Sequence, residues 1–179
     1  GNKILTTGGG GALLFNDRDS AMRAKHITNT AKISHKWEYF HDQVGWNYRM
    51  PNLNAALGLA QLERLEWAIT QKRELAEKYR KKFENSKYFE FFSESAFSTS
   101  NYWLNLITLK KPDKAIRDQL LSMLYDNKVF ARPVWTGLHK LPMYATCPRD
   151  DLEISNQLEM SAINLPSSPQ LNQSIALNN

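Results

Sequence analysis

Three stretches of the chain hold residues whose types and spacing can do chemistry. The first runs Lys3-Ile4-Leu5-Thr6-Thr7 into Gly8, Gly9, Gly10 and Gly11. A lysine can form a Schiff base with a carbonyl cofactor if partial burial or a nearby cation makes its ammonium easy to deprotonate. Glycines beside it let the backbone come close to a flat cofactor and its phosphate. The same residues also read as a flexible turn with an exposed lysine. They do not read as a P-loop, which puts its lysine after the glycines and follows it with Ser or Thr.

The second stretch, Phe40 to Asn52, is an aromatic and polar loop entering a helix. In it Asn47 offers an amide donor and Arg49 a guanidinium fork, both suited to an anion. The third, Ala131 to Tyr144, gathers Arg132, Trp135 and His139 behind a strand. Its plainer alternative is a proline-stiffened surface loop. Metal chemistry finds no support: His26, His35, His41 and His139 show neither an HExxH pattern nor cysteine pairs. No G-x-S-x-G marks a serine hydrolase.

The elements that must position these residues follow from periodicity. Ala12 to Phe15 is a short apolar run that predicts a buried strand. Asp17 predicts the cap of a helix over 18–28. Residues 29–45 lack a clean period and carry Lys32, His35, Trp37, Tyr39, Phe40, His41 and Asp42, the composition of a functional loop. Pro51 suits a first helical turn. Leu53, Ala56, Leu57 and Ala60 follow at helical spacing, and a second helical stretch runs to Phe83, as one bent helix or a pair. Residues 88–92 and 102–109 predict strands around a Ser/Thr-rich turn. Asp113 predicts the cap of a helix to about 127, and Val129 to Val134 a strand cut by Pro133. Asp150 or Asp151 predicts the cap of a last helix, and residues 163–165 a short strand before a proline-rich tail. The β-α-β-α order after residue 86 argues for a small α/β domain on a helical connector.

Composition sets outer limits. The chain has 179 residues, enough for a domain with a real core, and no apolar run long enough to span a membrane. Cys147 is its only cysteine, so no internal disulfide forms and cytoplasm is the default compartment. The net charge of +5 owes much to Gln71–Lys82, where Glu74 and Glu77 sit four residues before Lys78 and Lys81. That is a solvated helix face with favourable pairs. No nucleic-acid motif accompanies it.

Together and in order, the three stretches resemble the DegT/DnrJ/StrS family of sugar aminotransferases. The family pattern places a lysine before a Thr- and Gly-rich tract, matched by Lys3. It continues as G-x-N-Y-R, matched by Gly45 to Arg49 and on to Leu62. R-P-x-(W/F)-x-x-x-H is matched by Arg132 to His139, and I-x-L-P-x-x-P by Ile163 to Pro169. The Ser of the lysine motif would lie before Gly1. The resemblance implies the C-terminal part of a fold-type I enzyme using pyridoxal 5'-phosphate. Residues 1–50 would be a remnant of the large domain and its sheet with an active-site loop, 51–86 connecting helices, and 87–179 a small C-terminal α/β domain. The large domain, with the Asp facing the pyridine nitrogen, would precede Lys3, and the family's final helix would follow residue 179. As an isolated piece the chain is expected to show no turnover.

The resemblance makes Lys3 the Schiff-base lysine, and Asn47 a residue that reaches the cofactor phosphate of the neighbouring subunit in a homodimer with shared active sites. Arg49 and His139 match positions near the cleft. Lys32, His35, Arg132 and Trp135 would meet the nucleotide sugar, with L-glutamate as amino donor. In related dehydratases a histidine replaces the lysine, so Lys3 favours aminotransfer. The loop Thr30 to Glu38 with His41-Asp42 is similar to a branch acting on UDP-linked 4-keto-6-deoxy-N-acetylhexosamines. GDP-perosamine synthases share Tyr39-x-His41-Asp42 and Asn47-Tyr48-Arg49-Met50, and stay as an alternative. So does a non-catalytic dimerisation or binding module.

Overall fold

Helix starts and stops follow the local chemistry. In this computed structural model, which describes residues 3–172, Asp17 caps α1 (Arg18–Thr28) by accepting a hydrogen bond from the Ser20 amide at 2.7 Å. Asp113 does the same for α4 (Lys114–Asp126), taking the amides of Ala115 and Ile116. Pro51 stands just ahead of α2 (Asn52–Glu63) as its cap, with no side-chain hydrogen bond. A break at Arg64 separates α2 from α3 (Leu65–Phe83), so the apolar spacing is that of two helices.

The chain divides into two compact units, one through Leu65 and the other from Glu66 onward. In the first, the segment after α1 folds back as a small antiparallel hairpin of β1 (Lys32–Ile33) and β2 (Phe40–His41), with Lys32 facing His41 and Ile33 facing Phe40. Sequence periodicity gives no sign of it, because two-residue strands have no period to show. Thr30 and Ala31 turn through positive φ (65° and 50°), and Ala31 is fully buried. Gly45 presses on that corner: a Cβ there would lie 2.6 Å from the Thr30 carbonyl carbon and 2.7 Å from the Ala31 nitrogen. Glycine is therefore required by contact.

The strand expected at Ala12 to Phe15 does not form. Those residues have no regular structure, and Leu14 is 94% exposed. An apolar run becomes a strand only where another backbone pairs with it, and among the described residues none does.

The second unit is the expected α/β arrangement. Its sheet orders β3 (Phe89–Phe91), β4 (Asn105–Leu109), β6 (Ala162–Leu165) and β5 (Arg132–Pro133) as β3-β4-β6-β5, all antiparallel. Pro133, which donates no ladder bond, sits on the edge strand. β5 is shorter than the expected 129–134 strand: Lys128 turns through φ 63° and the Val129 amide returns to the Leu124 carbonyl, so 128–131 is a turn. The core lies between the sheet and the helices, where Ala76 of α3 packs with Phe91, Ile107, Ile163 and Leu165. The last helix, α5 (Glu153–Ser161), is preceded by Leu152, not by an aspartate; Asp151 takes the Glu153 amide from just outside.

Charged side chains clasp this unit. Lys72 is 4% exposed and donates to the Trp103 and Ser167 carbonyls, and burial lowers its pKa. Arg73 pairs with Glu94 across the Ser/Thr-rich turn, donating at 2.6 and 3.0 Å. Among the described residues no helix is long and apolar enough to cross a membrane.

Candidate active site

Lys3 opens the described part of the first unit, and its side chain is exposed. The segment that follows is pinned from α2. Asn54 donates from Nδ2 to the Thr7 carbonyl at 2.6 Å and to the Gly9 carbonyl at 3.1 Å. Gly8 and Gly10 take φ of 72° and 130°, values that a side chain resists. At Gly10 a Cβ would also stand 2.7 Å from the Met50 methyl. The glycines thus serve a defined path and not a slack one.

Asn47 is positioned by backbone. It bridges antiparallel to Asn29 at the end of α1. The Trp46 amide donates to the Ile27 carbonyl and the Tyr48 amide to the Thr28 carbonyl, both at 2.8 Å. The Trp46 and Tyr48 rings stack at 6.4 Å. An open groove of about 1040 Å³ results, lined by Gly9–Leu13, Lys25, Asn47, Arg49 and Asn54, among others. Lys25, Arg49 and the amides of Asn47 and Asn54 are among its lining residues, and no carboxylate is. That donor set, beside glycine backbone, fits the phosphate end of an aromatic cofactor. Lys3 is not among the residues that line this groove.

The hairpin carries the other candidates of this unit. Lys32 places its ammonium over the Tyr39 ring at 4.0 Å, a cation–π contact. His35 accepts the Glu38 amide on Nδ1 at 3.0 Å and meets Trp37 edge-on. Below them, His26 Nε2 donates to Asp42 at 2.7 Å, which holds the Asp42 carboxyl below its usual range.

In the second unit, Arg132 is exposed at the head of the edge strand. Trp135 is 69% exposed, stacks on Trp103 at 6.1 Å, and lines a groove with Tyr102, Leu104, Val134 and Asn164. His139 sits in a 3-10 turn, Leu138–Lys140, and its Nε2 bonds the Asn156 amide oxygen at 3.1 Å. Next to it Glu159 is held low by Lys140, with the Gly137 amide adding to the effect. Arg132 and Trp135 are therefore presented outward, whereas His139 is tied to α5. Among the described residues no group of three or more His, Cys, Asp or Glu can hold a metal.

Three participants escape a reading of sequence alone: Asn54, Lys25 and the His26–Asp42 pair. Asn54 and Thr7 are 47 positions apart, and His26 and Asp42 are 16 apart. No local pattern links residues at such separations. Only Asn54, a polar residue among the leucines and alanines of the first turns of α2, leaves a trace.

Known proteins resemble the chain over most of its length. GDP-perosamine synthase of Escherichia coli O157:H7 is 37% identical over 96% of this chain and 45% of its own length. UDP-4-amino-4,6-dideoxy-N-acetyl-beta-L-altrosamine transaminase of Campylobacter jejuni is 28% identical over 60% of this chain and 29% of its own. The crystal structure of an aminotransferase, TlmJ from Streptoalloteichus hindustanus, superposes with a TM-score of 0.81 at 26% identity, over 96% of this chain and 45% of that one. The chain thus spans less than half the length of these relatives. Residues 1–176 match one family model throughout, and the chain belongs to the DegT/DnrJ/EryC1/StrS aminotransferase family.

Proposed function

We propose that this chain is the C-terminal portion of a pyridoxal-phosphate aminotransferase that moves an amino group from L-glutamate to the C4 ketone of a nucleotide-linked 4-keto-6-deoxy sugar. One observation carries the reading: a lysine leads a glycine tract pinned by Asn54, in a chain that matches a sugar-aminotransferase family from end to end. Of the two nucleotides considered, GDP has the better support, because the perosamine synthase likeness is higher and covers more of the chain. The UDP-linked N-acetylhexosamine reading stands second. The reading includes a homodimer with shared sites and a cytoplasmic location.

Lys3 would hold the cofactor through its ε-amine, and Asn47 would hold the phosphate of the partner subunit's cofactor. The bound cofactor supplies an electron sink for carbanion chemistry. Lys3 then carries a proton to and from the carbon that gains or loses nitrogen. Arg49 and Lys25 add positive charge around the anion groove, and Arg132 suits a diphosphate. Trp135 offers an aromatic face to the nucleotide or sugar.

Full-length protein mixed with L-glutamate and GDP- or UDP-linked 4-keto-6-deoxy sugars tests this. The expected result is 2-oxoglutarate together with an amino sugar nucleotide in the mass spectrum, with the GDP-linked ketone preferred. Lys3→Ala is expected to abolish the visible band of lysine-bound cofactor and lower turnover by at least about 10³-fold, in line with losing a catalytic nucleophile and its proton transfer. An unchanged spectrum in Lys3→Ala would remove Lys3 from the mechanism.

A further inference from the structure

One histidine of the hairpin is fixed far more firmly than its exposure warrants. His41 is an exposed residue, yet its Nδ1 lies 2.7 Å from the Thr30 carbonyl oxygen. A carbonyl only accepts, so Nδ1 carries the proton. In the neutral ring the lone pair is then on Nε2.

The anchor itself is rigid. Thr30 and Ala31 hold positive φ, Ala31 is fully buried, and Gly45 packs against both. The next residue, Asp42, is held twice, by its amide to the Ala31 carbonyl at 3.3 Å and by its carboxylate to His26 at 2.7 Å. Ring, preceding corner and following residue are thus all tied, although an exposed ring adds little to the core. Ordering of this kind is what a recognition group needs, since a pre-set acceptor loses no rotamer freedom on binding.

His35 in the same hairpin is set the opposite way. Its Nδ1 accepts the Glu38 amide, so in the neutral ring Nε2–H is a donor. With both rings neutral, the hairpin presents one acceptor and one donor, a combination that reads hydroxyl groups.

We propose that His41 is a specificity-determining residue whose Nε2 accepts a hydrogen bond from a ring hydroxyl of the hexose. This rests on the aminotransferase reading above, with Lys32 and His35 of the same loop meeting the nucleotide sugar. The tests are His41→Asn and His41→Gln in the full-length enzyme. The asparagine amide can still donate to the Thr30 carbonyl but has nothing at the Nε2 position. Gln extends to that position and restores an acceptor.

His41→Asn is expected to raise KM for the 4-keto sugar nucleotide about tenfold, the loss of one hydrogen bond. The visible cofactor band and the half-reaction with L-glutamate should stay as in the wild type. His41→Gln should recover part of the sugar KM. KM does not depend on how much of the protein is folded, so a less stable variant still reports. An unchanged sugar KM in His41→Asn overturns the proposal, as does an equal loss in the glutamate half-reaction. A wild-type protein that aminates no nucleotide sugar overturns the aminotransferase reading and this proposal with it. A wild type that does so while His41→Asn matches it overturns this proposal alone.

Discussion

At the scale of single residues, Asn54 decides how the lysine-bearing segment lies. One side-chain amide serves two carbonyls, Thr7 and Gly9, from a half-buried position on α2. Leucine fills a similar volume and donates nothing. Asn54→Leu is therefore expected to cost about 1–3 kcal/mol, because the part-buried Thr7 carbonyl loses its donor. A thermal melt reads that loss. In the full-length enzyme, capture of added cofactor should slow as well, because the glycine path is no longer fixed. Unchanged melting and unchanged capture would reduce Asn54 to a bystander. Lys3, Asn47 and Arg49 stand out as candidates by residue type and order along the chain. Asn54 and the His26–Asp42 pair were not, since each depends on a partner brought near only by folding.

At the scale of elements, legibility tracked local physics. α1 and α4 could be read because Asp17 and Asp113 cap them from the adjacent sequence. The run at Ala12 to Phe15 misled, because apolarity announces a strand and says nothing of its neighbour. The β1–β2 hairpin stayed hidden because its two-residue strands show no period, and because the turn leading into it puts Thr30 and Ala31 at positive φ, where sequence signals expect glycine or asparagine. The turn between β3 and β4 carries a testable charge. Glu94 is held below its ordinary value of 4.5 by the Arg73 guanidinium and by the Ser100 amide. Its folded pKa is depressed, so its stabilisation is fully present above about pH 4.5 and fades as the pH falls below that. Amide exchange of residues 93–101, corrected for the intrinsic rate, should accelerate below pH 4.5. In Glu94→Gln it should already be fast at pH 7 and show little further change. A wild-type turn whose protection ignored pH across that range would mean that Arg73 and Glu94 do not hold it.

At the scale of the whole molecule, α2 raises the question of what covers it. Its sequence, Asn52 to Glu63, is apolar on nearly all sides, yet the chain alone buries none of its residues. Leu53 is 85% exposed, Leu59 61% and Leu62 54%. A helix apolar all round is normally enclosed, and scattered single leucines would not need a partner, but a run on one helix does. The proposed homodimer supplies one: in that reading a second copy covering α2 also brings the partner subunit's Asn47 toward the cofactor held by Lys3. Assembly and site completion are then one event. The full-length protein carrying Leu53→Asp and Leu59→Asp should sediment as a monomer at micromolar concentration, where the wild type sediments as a dimer. Cofactor should bind at least about tenfold more weakly, since a phosphate contact worth about 1.5–3 kcal/mol leaves with the partner. A monomeric variant that bound cofactor as tightly as the wild type would separate the two events and place the phosphate contact within one chain. A variant still dimeric would move the interface away from α2.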